Sequence, residues 1–116
     1  MRILTDDLNY QREHARQMRY LEEHLRTETG REALRQDPQH HELLALFESI
    51  QADGMRNPII VRTHVHVGNQ RLACARALGL EEIEVVFAGA DESINTLVRT
   101  YRPMAYDRQG DRWVCA

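Results

Sequence analysis

The stretch Gly68-Asn69-Gln70-Arg71 has the residue types and spacing of an anion-binding turn. A glycine lets the backbone approach an anion closely, the amides at the start of a following helix point toward it, and an arginine can donate two parallel hydrogen bonds. We therefore expect residues 68–71, called the 68–71 turn below, to hold a phosphate. Arg71 would bind the phosphate, Gly68 would permit the turn, and Asn69 and Gln70 would orient the ligand. The alternative is a simple turn glycine followed by an arginine in a surface ion pair.

All fifteen basic residues of the chain are arginines. The absence of lysine removes mechanisms that need a Schiff base or a Walker-type lysine, so any cation at a site must be a planar, permanently charged guanidinium. Arg62 and Arg76 are the secondary candidates for contact with the ligand.

Two histidines and a glutamate could add chemistry to this site. His64 and His66 are two residues apart in a predicted hairpin, so the period of a strand places both imidazoles on one face. They could bind a transition metal or join Arg62 at the mouth of the site, but no third ligand stands at a fixed spacing, and ordinary surface histidines are the alternative. Glu48 could bind a metal or act as a base; otherwise it is a solvated helix residue.

Composition predicts an ordinary globular protein. The chain has 116 residues, 42% of them hydrophobic, with a net charge of -3, which argues against bulk electrostatic coating of nucleic acid. Cys74 and Cys115 form no recognisable disulfide or metal-ligand framework. Because the chain has neither a membrane-length apolar run nor a signal-peptide core, we expect a cytoplasmic protein with no membrane partner.

Local signals predict a small α+β domain spanning residues 1–116. Apolar spacing, caps and β-branched runs predict helices at 11–36 (broken near Thr27 to Gly30), 38–52, 70–78 and 91–101, strands at 59–61, 65–67 and 83–87, and a closing hairpin at 104–114 with a turn at Gln109-Gly110. The predicted organisation is an N-terminal helical extension (1–37), a mixed α+β core (38–90) and a C-terminal helix and tail (91–116).

Residues 43–87 resemble the N-terminal domain of ParB and its relatives, which include sulfiredoxins and free-serine kinases. The resemblance is carried in order by Leu43 to Ile50, Asp53-Gly54, Asn57-Pro58-Ile59-Ile60-Val61-Arg62, and the run from Val67 to Gly79 before a closing strand. It implies a ParB/sulfiredoxin-like fold with a mixed sheet. It also implies that the 68–71 turn binds the phosphates of a nucleoside triphosphate, ATP or CTP, with Mg²⁺.

The sequence departs from each enzymatic branch that the resemblance suggests. Asn69, Gln70 and Ala73 stand where ParB domains carry an acidic residue and two arginines, and Asn69 also occupies the position of the sulfiredoxin cysteine. The acidic residue and the histidine of the serine kinases are replaced by Val67 and Gln70. No helix-turn-helix segment follows Phe87, so operator binding of the partition type is not implied.

These observations predict a stand-alone ParB-like protein that binds a nucleotide or another phosphorylated ligand, of the kind found in phages and mobile elements. One alternative is a DNA-binding or host-protein-binding module that has lost nucleotide chemistry, and another is a nucleotide-dependent enzyme, a kinase or a nuclease. A homodimer is a further expectation, with an apolar contact supplied by Tyr10, Met18, Tyr20 and Leu21.

Overall fold

Helices and short strands alternate along the chain. A computed structural model describes residues 1–101, 106–107 and 112–113. The strands are β1 (Arg2–Leu4), β2 (Ile59–Val61), β3 (Val65–Val67), β4 (Glu82–Phe87), β5 (Tyr106–Asp107) and β6 (Arg112–Trp113). The helices are α1 (Ala15–Leu25), α2 (Glu28–Arg35), α3 (His41–Asp53), α4 (Asn69–Ala77) and α5 (Ile94–Tyr101), with 3₁₀ turns at Thr5–Asp7 and Pro38–His40.

Four strands form a mixed sheet in the order β1-β4-β2-β3. Strands β2 and β4 are parallel, with Ile59 opposite Val85, whereas β2 and β3 form an antiparallel hairpin. Strand β1 is antiparallel to β4, with Ile3 opposite Ile83. The predicted small α+β fold with a mixed sheet is confirmed.

Helices cover the whole of one face of the sheet and part of the other. One face carries Ile59, Val61, Val65, Ile83 and Val85 and belongs to the main core. That core also contains buried side chains from α1, α3 and α4: Met18, Leu21, Leu25, Leu43, Leu44, Phe47, Ile50, Leu72, Ala73, Cys74 and Ala75. On the other face, Ile60 packs in a smaller cluster with Ala88, Leu97 and Val98, so α5 covers the β2 side of the sheet.

The first 37 residues contribute both to the sheet and to the core. They supply β1 to the sheet and α1 to the packing against α4. Of the four side chains expected at a dimer contact, Tyr10, Met18 and Leu21 are buried within the chain itself, and Tyr20 is exposed. Three of the four residues are therefore part of the core, and they do not form the expected apolar contact surface.

Capping residues set the helix ends where the sequence predicts them. The hydroxyl of Thr27 accepts a hydrogen bond from the Gly30 N–H at 2.9 Å, so α2 begins anew after the predicted break. Asp37 accepts from the N–H of Gln39 at 3.1 Å at the start of the next turn, and Gly54, with φ 77°, ends α3.

The C-terminal part agrees with the prediction in outline. Helix α5 begins at Ile94, three residues later than predicted, because the carboxylate of Glu92 accepts from the Gly89 N–H at 2.9 Å and holds the preceding residues in a turn. Strands β5 and β6 pair antiparallel as the predicted hairpin, and its turn at Gln109-Gly110 lies outside the described residues. No helix in the described ranges is long and apolar enough to cross a membrane.

Candidate phosphate-binding turn

Gly68 joins β3 to α4 in a conformation that favours glycine. Its φ is 106°, in the left-handed region, and its position is the N-cap of α4. The hairpin register places Ile60 opposite Val67, so Ile59 lies across from Gly68. A Cβ atom at position 68 would lie 2.9 Å from Cγ1 of Ile59. Both the backbone angle and the space therefore require glycine here.

The start of α4 lacks a side-chain cap. The N–H of Leu72 donates to the carbonyl of Gly68 at 2.8 Å and closes the first helical turn. The N–H groups of Asn69 and Gln70 precede that bond and so have no acceptor within the helix. Together with the helix dipole, this arrangement favours an anion at the end of α4.

Arg71 lies in the first turn of α4 but is a buried residue. It is 8% exposed, so it is not the surface ion-pair arginine of the simpler interpretation. Burial raises the pKa of the Cys74 thiol to about 12, and the nearby charge of Arg71 opposes that rise. The guanidinium therefore lies inside the domain, and its charge reaches the thiol of Cys74, three residues further along α4.

The Asn69 side chain is engaged within the protein. Its Oδ1 accepts a hydrogen bond from the backbone N–H of Gln11 at 2.9 Å, and its Nδ2 donates to the carbonyl of Val65 at 3.4 Å. The expectation that this side chain orients a ligand therefore conflicts with the contacts it makes. Gln70, by contrast, is exposed beside the helix amides.

Arg62 lies at the other end of the β2–β3 hairpin. It follows Val61, which is opposite Val65, whereas Gly68 follows the opposite end of β3. Its guanidinium donates to the carbonyls of Glu92, at 2.6 Å, and Gly89, at 3.3 Å. The structure therefore does not bring Arg62 to the 68–71 turn, and its charge instead fastens the connection between β4 and α5.

Arg76 is near the far end of α4, about 10 Å along the helix axis from Asn69 at a rise of roughly 1.5 Å per residue. Its guanidinium donates to the carbonyls of Leu8 and Thr5, lies 4.9 Å from the centre of the Tyr10 ring, and is 3.6 Å from a carboxylate oxygen of Glu22. These contacts hold the N-terminal segment against α4, and Arg76 does not face the turn.

Glu22 completes a partly buried network that the sequence did not predict. Its carboxylate accepts hydrogen bonds from the hydroxyl of Tyr10 at 2.8 Å and from Arg26 at 2.9 Å. Burial acts to raise the pKa of Glu22, but the hydrogen bonds from Arg26 and Tyr10 and the charge of Arg76 outweigh it and lower that pKa below its ordinary value. Burial, reinforced by Glu22, raises the pKa of Tyr10.

His64 and His66 lie together, as the strand period predicts. Their rings stack with centroids 4.8 Å apart and planes inclined by 19°. His64 sits at the Arg62 end of the hairpin, where its carbonyl accepts from the Arg62 N–H at 3.1 Å. Within the described residues, no three histidine, cysteine, aspartate or glutamate side chains are placed to hold a metal ion, and Glu48 is exposed on α3.

The sequence did not indicate two neighbours of the 68–71 turn, Ile59 and Gln11, because their effect depends on their position in the fold and not on their residue type. Ile59 shapes Gly68 across the hairpin, a relationship that only the strand register reveals. Gln11 contacts Asn69 with its backbone N–H, a group that every residue except proline possesses. No local signal in the sequence points to it.

Comparison of the chain with protein-family models, curated proteins and solved structures finds no match.

Proposed function

We propose that this protein binds a phosphorylated ligand at the 68–71 turn, and that the ligand is a nucleoside triphosphate such as ATP or CTP with its Mg²⁺. The observation that carries the proposal is the left-handed Gly68 at the uncapped start of α4, with Arg71 fixed in the first helical turn. This combination supplies backbone donors and a favourable dipole at the start of the helix, and a permanent positive charge on a residue of the same turn.

The roles of the residues follow from that arrangement. The N–H groups of Asn69 and Gln70 would donate to phosphate oxygens, and Gly68 lets the chain approach the phosphate without a Cβ atom in the way. Arg71 would balance the negative charge from within the domain. Mg²⁺ keeps most of its waters and binds mainly through the phosphates, so the absence of an acidic metal cluster among the described residues is compatible with this ligand.

The resemblance of residues 43–87 to the ParB-type core supports the choice of a nucleotide over a simple phosphate. In that family the turn at this position binds nucleotide phosphates, and the described strand-turn-helix unit around Gly68 has the elements such a turn needs. The departures at Asn69, Gln70 and Ala73 remove charges from the family pattern. We therefore expect weaker phosphate binding than a full ParB clamp provides.

The test is calorimetric titration of the purified protein with ATP, CTP, GTP and ADP, each with and without Mg²⁺. Because Arg71 is buried, its removal could unfold the protein, so the informative variant is Gln70→Glu at an exposed position. A carboxylate at a helix start is favourable for the helix but repels a phosphate bound there. We expect saturable binding by the wild type and a loss of about tenfold or more in affinity in the variant.

The control is Gln36→Glu, which makes the same change of charge at another exposed glutamine. Because the side chain of Gln36 donates to Glu32 at 3.1 Å, circular dichroism should first show that this variant keeps its helices. Gln36 comes before α3 in the chain, whereas the 68–71 turn lies beside β2, which comes after α3. Helix α3 has 13 residues and is therefore about 20 Å long. Equal affinities in the Gln70 and Gln36 variants would place the ligand elsewhere. If the wild type bound no nucleotide, the proposal would be overturned and a DNA-binding or protein-binding module would be favoured. Salt-dependent retention on DNA would then distinguish a DNA-binding module from a protein-binding one.

A further inference from the structure

We infer that Asn69 is a positioning residue of the proposed site, which ties residues 9–11 to the 68–71 turn and sets ligand affinity through that tie. The inference rests on the proposed function. It assigns to Asn69 a role different from ligand contact. The group that holds the Asn69 side chain in place is the backbone N–H of Gln11, which lies 58 residues away in the sequence and outside the ligand contacts.

The 9–11 segment runs beside the free edge of β3. The N–H of Val65 donates to the carbonyl of Asn9 at 2.9 Å at one end of the segment. At the other end the N–H of Gln11 donates to Oδ1 of Asn69 at 2.9 Å, while Nδ2 of Asn69 donates to the carbonyl of Val65 at 3.4 Å. One amide side chain thus joins three pieces of backbone: the 9–11 segment, β3 and the start of α4.

Helix α4 also holds the neighbouring residues 8–10 through a second side chain, that of Arg76. Near the far end of α4, Arg76 donates to the carbonyl of Leu8 and lies over the Tyr10 ring. Residues 8–11 are therefore fastened to both ends of α4, by Arg76 at one end and by Asn69 at the other. Of these two attachments, the one made by Asn69 involves the turn, so it can be removed while the Arg76 attachment remains.

The consequence for binding is pre-organisation. Because both polar atoms of its side chain are committed, Asn69 has a fixed rotamer, and its two hydrogen bonds hold the start of α4 against the 9–11 segment and β3. A ligand that binds to a turn already held in place does not have to order it. Loss of the tie should therefore weaken binding even though no atom of the Asn69 side chain touches the ligand.

A double-mutant cycle separates positioning from contact, with ATP, CTP and inorganic pyrophosphate as probes in the presence of Mg²⁺. Asn69→Ala removes the side chain, and Gln11→Pro removes the N–H donor while leaving Asn69 intact. Tyr10, which precedes position 11, lies in neither a helix nor a strand, so the extended backbone that proline favours at the preceding residue does not interrupt an element. Gln11→Ala, which keeps the N–H, is the matched control.

We expect each of the two variants to weaken binding by about three- to tenfold. The double variant should bind no more weakly than Asn69→Ala alone, because that substitution already removes the acceptor of the Gln11 N–H. Gln11→Ala should bind like the wild type. If Asn69 contacted the ligand directly, Asn69→Ala would weaken binding and Gln11→Pro would not, which would overturn the inference and leave the proposed function standing. Unchanged affinity in both variants would also overturn the inference and leave the proposed function standing. If the wild type binds none of the probes, both proposals fail together.

Hydrogen exchange at the Gln11 amide provides a second test that needs no proline variant. The amide should exchange faster in Asn69→Ala than in the wild type, since its acceptor is gone. Because coupling between two sites is reciprocal, a saturating probe should slow exchange of this amide in the wild type by the same factor by which the tie improves affinity. An exchange rate unchanged by the bound probe would refute the link between the 9–11 segment and the turn.

Discussion

A Cβ atom on residue 68 would lie 2.9 Å from Cγ1 of Ile59, closer than non-bonded carbon atoms approach one another. Gly68 is the N-cap of α4 and Ile59 is the first residue of β2, and the hairpin register places the two residues opposite each other. The geometry of the candidate site is therefore set by a hydrophobic strand residue as well as by the glycine. This relationship has a direct consequence for stability.

Gly68→Ala should destabilise the protein by about 3 kcal/mol, through the left-handed backbone and the collision with Ile59 together. Gly79→Ala is the matched control, because Gly79 also has a positive φ, 73°, but a Cβ atom added there would meet nothing within 4 Å. Its cost should be only about 1 kcal/mol. Urea denaturation with unchanged m-values measures both losses. Equal losses would show that Ile59 moves aside without cost.

Glu22→Gln should reduce stability by about 2 kcal/mol at neutral pH, because Arg76 would lose its nearest carboxylate in a partly buried network. The substitution should also change the pH dependence. The folded pKa of Glu22 lies below its ordinary value of 4.5, so its stabilising contribution is complete above that pH and is lost as the pH falls through the lower, folded pKa. The wild type should therefore lose more stability than Glu22→Gln between neutral pH and acid.

Chemical denaturation at a series of pH values below 6 tests this difference. Glu23→Gln is the control, since Glu23 is the neighbouring residue on α1, has a largely exposed side chain and pairs with the same Arg26 at 3.7 Å. An exposed pair of this kind contributes little. If the two variants had the same pH profile, the network around Glu22 would not be the source of the acid sensitivity.

The parts of this fold that the sequence predicted are those with local causes. Thr27 and Asp37 are caps whose side chains bond within three residues, and Gly54 and Gly68 take positive φ angles that few other residues adopt. Each of these is visible in the sequence without knowledge of the partner elements. The break at Thr27 and the turns at Gly54 and Gly68 therefore agree with expectation. The helices predicted from residues 11, 38 and 91 each begin three or four residues later, at Ala15, His41 and Ile94.

The parts that escaped prediction depend on partners distant in the sequence. Strand β1 has three residues with a single β-branched side chain, that of Ile3, and its pairing partner β4 lies about 80 residues away in the sequence. Arg71 is buried and Arg62 is turned toward Glu92, although residue type alone makes both good phosphate ligands. The sequence could therefore indicate the 68–71 turn but not which arginines belong to it.

Cys74 should be unreactive in the folded protein. Burial raises its pKa to about 12, so at pH 8 only about one thiol in ten thousand is ionised. In a Cys115→Ser variant, which leaves Cys74 as the single thiol, reaction with a chromogenic disulfide should be at least about a hundredfold slower than in urea. A native rate close to the rate in urea would mean that the packing of α4 around Cys74 opens readily.

Arg62→Ala should lower stability and leave ligand binding unchanged. The guanidinium donates to the carbonyls of Glu92 and Gly89, so its loss releases the connection between β4 and α5 at a cost of about 1 kcal/mol. Because Arg62 lies at the opposite end of the β2–β3 hairpin from Gly68, affinity for ATP or CTP should stay within about twofold of the wild type. Thermal unfolding and calorimetric titration of the same preparation measure both quantities. A loss of affinity comparable with that of Gln70→Glu would mean that the ligand extends along the hairpin to this arginine, as the position of Arg62 in the sequence suggests.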